Sequence, residues 1–391
     1  MYTHLQTVGE LLRAKRKRPG NWRRDLRLWL VGVSQIALYF PVSAARYCDR
    51  IFWPGYRTEP LPAPLFIVAT PRSGTTFLHH VLAADVKTFT HLRLFQTIFR
   101  SILCQRLITL AAEMDALFYH PVQKVLRFLG KGFFSEWQGI HAVGLNRQEE
   151  DEALFVQALS SPALYLLYPF IRDLPWLKDI DKERPELIAP LAAEYRETVQ
   201  RQSYIFSSQR EQKAGKGSQV NSSIAPIQLI KNVLLPSRLE VAQQAFPDAR
   251  WIHIVRDPRR AIPSAVSLFF ASWQQHSPEI APNSPEVKEL AQMFIEHYKK
   301  LHAFSREQPK DRVLTIRFED LIQNPEALTK KIYSFLGVPF SKEAQRTLVD
   351  SLQQSDDFKS THRYTLEQFG LQEAEVLQSL EEEARYYGYI D

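Results

Sequence analysis

The stretch Thr70-Pro71-Arg72-Ser73-Gly74-Thr75-Thr76 gathers a guanidinium, four hydroxyls and a glycine into seven consecutive residues. A planar guanidinium grips several oxygens of a tetrahedral oxyanion at once. Amides at a tight turn and a helix start add donors for the same negative charge. A nucleotide-triphosphate P-loop would need two glycines five apart followed by Lys-Ser/Thr, with magnesium on the hydroxyl. Here Gly74 stands alone and the lysine is missing, so the expected ligand is a phosphate-like group held without an obligatory metal. The plainer alternative is a loop that only caps its own helix through Thr70 or Ser73.

A second candidate is Arg256-Asp257-Pro258, with Ser264 eight residues after the arginine. Pro258 suits the first position of a helix, which places Ser264 about two turns further in. Arg256 and Ser264 are then able to grip one phosphate from two sides. Alone, the tripeptide would read as a turn with Asp257 as N-cap.

Both candidates need a strand to end where they begin. Leu65–Thr70 is an aliphatic, β-branched run suited to burial on both faces. After its turn, Phe77, Leu78, Val81 and Leu82 recur at helical spacing. Trp251–Val255 leads into Arg256, and Ile227–Lys231 and Val313–Arg317 complete four strand candidates. Helical patterns separate them, which predicts an α/β fold with a mainly parallel central sheet flanked by helices. The segment from about Ala83 to Ala225 reads as largely helical and rich in aromatics, an insertion over the crevice at the strands' C-terminal ends. Within it, Ala214-Gly215-Lys216-Gly217-Ser218 is a false P-loop, because a polar stretch rather than a strand precedes it.

The chain has 391 residues, 45% apolar and 24% charged, with a net charge of +6. Those values describe an ordinary globular protein, and two cysteines make no disulfide framework and point to a reducing compartment. Much of the positive excess lies between Arg13 and Arg27, where eight basic residues face Asp25 alone. The uncharged stretch Leu28–Ala45 follows, at the lower length limit of a membrane span. Three readings apply to it: a helix packed on the domain, an in-plane membrane anchor, and a true span. The basic block is too long and too far from the terminus for a signal peptide. No nucleic-acid partner is expected, because Trp22 and Trp29 belong to the apolar segment rather than to a stacking platform. Pro60, Pro62 and Pro64 set off this arm, dividing the chain into residues 1–60 and a main domain over 61–391.

Together the two candidate sites resemble the sulfotransferase family that uses 3′-phosphoadenosine 5′-phosphosulfate, in its bacterial-type branch. There a Pro-Lys/Arg-Ser-Gly-Thr-Thr loop binds the 5′-phosphosulfate, and Arg-Asn/Asp-Pro with a serine eight residues after the arginine binds the 3′-phosphate. The segment Ile316–Phe340 is similar to the family's C-terminal signature, and "HAVGLNRQEEDEAL" and "HRYTLEQFGL" resemble segments of the bacterial branch. The likeness runs from about Pro64 to Leu371 and implies a P-loop-like fold. It assigns Arg72, Ser73, Gly74, Thr75, Thr76, Arg256 and Ser264 to the nucleotide, and Lys231 to the sulfuryl group in transfer. Arginine is a poor proton donor, so Arg72 neutralises charge in the transition state rather than protonating the leaving group.

One departure bears on the acceptor. Where cytosolic members read Lys-Thr-His, this chain reads Lys231-Asn232-Val233, and the region after the first helix holds Gln96 in place of a glutamate. Base candidates are His141 and the Glu149-Glu150-Asp151 cluster, Glu150 among them, each of which taken singly also reads as a solvated helix-start charge or a structural histidine. Of the adjoining His79 and His80, one is expected to face solvent and the other to be a hydrogen-bonded structural histidine. The resemblance implies metal-independent transfer to a hydroxyl, in second place an amine, of an apolar small-molecule or lipid acceptor. The expected location is cytoplasmic, with peripheral contact at the inner membrane face. The competing functions are a non-catalytic nucleotide-binding module of the same fold and an ATP-dependent phosphoryl-transfer enzyme.

Overall fold

A computed structural model describes residues 2–17, 21–117, 151–214, 226–354 and 364–391. Five parallel strands form one sheet in the order β2-β3-β1-β4-β5. They are β1 (Leu65–Ala69), β2 (Phe89–His91), β3 (Ile227–Lys231), β4 (Arg250–Val255) and β5 (Val313–Arg317). Four lie where the sequence places them, with the first ending one residue early and β4 starting one residue early. The fifth, β2, falls inside the segment expected to be helical. Its three residues, Phe-Thr-His, carry no apolar run that would announce a strand.

Alternation along the central strands builds two cores, because successive side chains point to opposite faces. Phe66 and Val68 of β1 join Trp251 and Val255 of β4 in the larger core. Leu65, Ile67 and Ala69 face the other way with Ile252 and Ile254. All five residues of β1 are buried, as a strand covered on both faces requires.

Helices α1 (Tyr2–Lys17) and α2 (Trp22–Phe52) precede the sheet. Helix α3 (Thr75–Ala83) follows β1, and α4 (Leu94–Ile98) and α5 (Ile102–Leu117) follow β2. Next come α6 (Glu152–Gln157) and the long α7 (Ile188–Ala214). The false P-loop therefore begins at the end of a helix and not after a strand. Helix α8 (Leu239–Ala245) leads to β4, α9 (Pro258–His276) and α10 (Pro285–Glu307) lead to β5, and α11 (Phe318–Gln323) closes the sheet's C-terminal edge.

The N-terminal arm packs on this domain. Ala14 is buried in the larger core with Val8, Leu11 and Leu28 against it. Glu10 pairs with Arg184 at 2.5 Å. Of the three readings of Leu28–Ala45, the helical one packed on the domain describes the inner face of α2, where Val42, Ala45 and Asp49 are buried.

Candidate active site

Register brings the sequence candidates together. Strand β1 pairs with β3 on one side and β4 on the other, with Ile67 opposite both Lys231 and Ile252. Lys231, the Thr70–Gly74 turn and Arg256 thus leave the C-terminal ends of three adjacent strands, where ligands of open parallel sheets sit.

The turn is tightly wound. Arg72 has φ 68° and Gly74 φ 80°, both in the left-handed region. For arginine that conformation costs about 1–3 kcal/mol, a strain found where backbone is shaped for a ligand. At Gly74 a Cβ would meet the Phe318 ring at 3.0 Å and Leu321 at 3.2 Å, so glycine is required both by conformation and by space. Gly74 is the N-cap of α3, and among the described residues no side-chain hydrogen bond caps that helix. The loop therefore does not merely cap itself. The Ser73 hydroxyl is fully buried and has no hydrogen-bond partner among the described residues. Burying an unpaired hydroxyl costs about 1–3 kcal/mol, which an oxyanion accepting from it would recover.

Cations flank the turn. Lys231 is buried and donates to Thr76 Oγ1 at 3.2 Å. Arg256 donates from Nη1 to the Arg72 carbonyl at 2.5 Å, and its guanidinium lies 4.4 Å from the centre of the Phe318 ring. Tyr298 donates to the Arg256 carbonyl at 3.1 Å. Burial pulls the Arg256 pKa below its ordinary value, Glu319 opposes this, and Arg72 and Arg260 repel it further. Such desolvated positive charge favours a bound anion. Asp257 caps α9 by accepting from the Arg259 amide at 2.9 Å, and Ser264 is half-buried two turns into that helix. The orphaned Ser73 hydroxyl, the wound loop and these cations suit the phosphate groups of a nucleotide donor.

Among the base candidates, His141, Glu149 and Glu150 lie outside the described residues. Asp151 does not fit the expectation of a solvated helix-start charge: it is 1% exposed. Its Oδ1 accepts from Asn232 Nδ2 at 2.7 Å and its Oδ2 from the Tyr195 hydroxyl. Asn232 Oδ1 in turn accepts from the Leu234 amide at 2.9 Å. Asp151 therefore clamps the turn that follows Lys231. Burial lifts its pKa to about 7, against the lowering effect of the Tyr195 and Asn232 hydrogen bonds. The neighbouring Glu152 is also tied down, by buried Arg238 and Ser161.

His80 is exposed, as one of the two histidines was expected to be. His79 is buried, but among the described residues its Nδ1 has no hydrogen-bond partner, which differs from the expected hydrogen-bonded histidine. Burial first, then Lys231, hold its pKa well below the ordinary value, so it is neutral near pH 7.

Sequence reasoning missed Phe318 and the Asp151–Asn232 clamp. Phe318 stands in the Ile316–Phe340 segment, the third likeness to the family, where its role depends on Gly74 and Arg256 being brought to it. In the sequence Asn232 stands only where cytosolic members carry threonine.

A family model described as "Sulfotransferase family" matches residues 64–342, well over half of the chain. Omega-hydroxy-beta-dihydromenaquinone-9 sulfotransferase Stf3 of Mycobacterium bovis is 25% identical over 279 residues, covering 70% of this chain and 63% of the relative. Carbohydrate sulfotransferase 3 of Tetronarce californica is 30% identical over 128 residues, 30% of this chain and 29% of the relative. The chain thus spans less than two thirds of the length of these relatives. Sulfotransferase STF1 from Mycobacterium tuberculosis superposes with a TM-score of 0.65 at 16% identity, covering 96% of this chain and 91% of that one. Sulfotransferase STF9 from Mycobacterium avium gives 0.63 at 16% identity, covering 90% and 84%. At these identities the solved structures establish a common fold.

Proposed function

The chain belongs to the sulfotransferase family, and on that premise we propose that it moves a sulfuryl group from 3′-phosphoadenosine 5′-phosphosulfate to a hydroxyl, in second place an amine, of an apolar or amphipathic acceptor. The observation that carries this reading is the buried, unpartnered Ser73 hydroxyl in a strained loop between Lys231 and Arg256. When bound, the nucleotide supplies an activated sulfuryl group and leaves as its 3′,5′-bisphosphate.

The chain's residues have separate tasks in this reading. Arg72, Ser73, Gly74, Thr75 and Thr76 hold the 5′ end and neutralise charge where it develops. Arg256 and Ser264 hold the 3′-phosphate. Lys231, already directed at Thr76, orients and stabilises the group in transfer. His141 or Glu150 takes the acceptor proton, and Asp151 is a positioning residue that fixes the chain beside Lys231.

The Stf3 relative is named for a hydroxylated menaquinone derivative, which supports an apolar acceptor; the carbohydrate sulfotransferase is named for a polar one. The exposed apolar face of α2 favours the first. An acceptor of that kind resides in a bilayer, so we place the protein at the cytoplasmic membrane face, touching it through residues 1–60. Both cysteines, Cys48 and Cys104, are free, in keeping with a reducing compartment.

Calorimetric titration with 3′-phosphoadenosine 5′-phosphate, with and without magnesium and beside ATP, tests the donor assignment. Metal-independent binding of the bisphosphate that is lost in Arg72→Ala and in Arg256→Ala is the expected result. Magnesium-dependent ATP binding without bisphosphate binding would replace this reading by phosphoryl transfer. Bisphosphate binding with no turnover on any hydroxylated acceptor would leave a nucleotide-binding module.

A further inference from the structure

The described apolar surface is concentrated on one helix. Trp22, Leu26, Trp29, Val33, Ile36, Phe40, Tyr47 and Ile51 of α2 are all exposed. At about 100° per residue these eight fall within roughly 40° of one line along the helix, while exposed Leu30 and Phe52 lie to one side of it. The buried residues of α2, Arg24, Val42, Ala45 and Asp49, lie on the opposite side. The helix therefore shows one face to the domain and a continuous apolar stripe to solvent. Helix α5 packs against it and carries its own exposed row, Leu107, Leu110, Met114 and Leu117. Surface this apolar and continuous marks an interaction site.

Both ends of α2 are fastened to the domain. At the start, Asn21 donates to Glu279 at 3.0 Å, Arg24 pairs with Glu279 at 3.4 Å and Arg27 donates to Gln275 at 3.2 Å. At the end, fully buried Asp49 accepts from Ser101 Oγ, from the amides of Ile102 and Leu103, and from Arg201 Nε, each at 3.0 Å. Arg46–Glu194 at 3.0 Å and Arg50–Glu197 at 3.3 Å reinforce that end. A helix of 31 residues, about 46 Å long, would have to release one set of these bonds to cross a bilayer.

Charge identifies the occupant. Arg13, Arg16, Lys17 and Arg23 are exposed at the α1–α2 junction, and Arg50, Arg57 and Arg106 are exposed near the other end. The stripe's aromatics suit the boundary between headgroups and acyl chains. A second copy docked through the same stripe would have to accommodate these exposed cations, for which coiled-coil seams place complementary charges alongside.

We propose that α2, with the exposed row of α5 beside it, lies in the plane of an anionic bilayer surface, apolar stripe among the acyl chains and cations on the headgroups. This specifies how the peripheral contact given under the proposed function is made, and rests on that reading only for its purpose. The consequence is a monotopic protein whose domain never leaves one side of the membrane.

Co-sedimentation of the full chain with vesicles of phosphatidylcholine alone, or with about a third phosphatidylglycerol, tests it. Binding is expected to the anionic vesicles and to weaken on the order of tenfold or more in Trp29→Asp with Phe40→Asp, two exposed positions. Charge reversal by Arg16→Glu with Arg23→Glu should remove the preference for anionic vesicles, at roughly fivefold per cation. Alkaline carbonate should strip the protein from the vesicles. Resistance to carbonate would mean a span and overturn the proposal. Vesicle binding unchanged by the variants, or none at all, would also overturn it, as would a dimer in sedimentation that the Asp variants dissolve. Calorimetry of the same variants with 3′-phosphoadenosine 5′-phosphate keeps the two readings apart: unchanged nucleotide binding confines a failure to the membrane proposal.

Discussion

Arg256 Nη1 donates to the carbonyl of Arg72 at 2.5 Å, so the residue expected to hold the 3′-phosphate also holds the loop expected to hold the 5′ end. Phe318, beneath the Arg256 guanidinium at 4.4 Å and against the Gly74 backbone, joins the third segment to the same point. The three motifs thus share one mechanical junction.

Arg256→Ala is expected to act twice. Loosening the loop should weaken any 5′-phosphorylated adenosine ligand a few-fold, while loss of a charge-assisted contact should cost the 3′-phosphorylated ligand a further ~10–100-fold. Calorimetry with ligands that differ only at the 3′ position measures the separation, and equal losses would remove Arg256 from the 3′ site.

Gly74→Ala introduces a Cβ at φ 80°, where it would meet the Phe318 ring at 3.0 Å. A destabilisation of about 1–3 kcal/mol follows, together with loss of nucleotide binding because Phe318 and Arg256 must shift. Urea unfolding and nucleotide titration of the same sample should move together.

Lys231→Met should leave the fold intact and lower kcat about 10²–10³-fold, the effect of deleting one oriented donor at a reacting centre. Nucleotide affinity should change far less than kcat. A variant that loses affinity and keeps kcat would place Lys231 on the nucleotide alone.

Asp151 gives a pH signature. Its unfolded carboxyl titrates near about 4 and its buried one at about 7. Between those values the folded state retains a proton that the unfolded state has released. Its stabilisation is therefore complete below about pH 4 and fades as the pH rises towards about 7. The stability of the parent minus that of Asp151→Asn should fall across this range, because the titration of groups common to both proteins cancels in that difference. A flat difference would show an Asp151 already ionised.

Asp49→Ala would remove one of the two carboxylates on buried Arg201, leaving Glu197 at 3.0 Å, and would uncap the start of α5. A cost of about 1–3 kcal/mol in urea unfolding is expected from the lost cap and charge-assisted hydrogen bonds, and limited proteolysis should open first near α2.

Legibility in the sequence followed distance along the chain. Leu65–Ala69 and Ile227–Lys231 were readable because short aliphatic runs bounded by turns describe buried strands. The anion loop was readable because all its chemistry is contiguous. Asp151 looked like a solvated charge because Tyr195 and Asn232, which bury and bind it, lie 44 and 81 residues away. Asp49 gave no hint of its pairing with Arg201 for the same reason, at a separation of 152. The apolar character of α2 was plain, but which face met the domain required the partners on α5 and α7.

Strand β2, three residues long, forms one margin of the sheet. A protein held at a surface is crowded in two dimensions, where neighbouring copies meet side by side far more often than in solution. So brief a margin offers a neighbour few unpaired amides and carbonyls to continue the ladder. At the proposed bilayer contact, that short margin would limit sheet-to-sheet pairing between neighbouring copies.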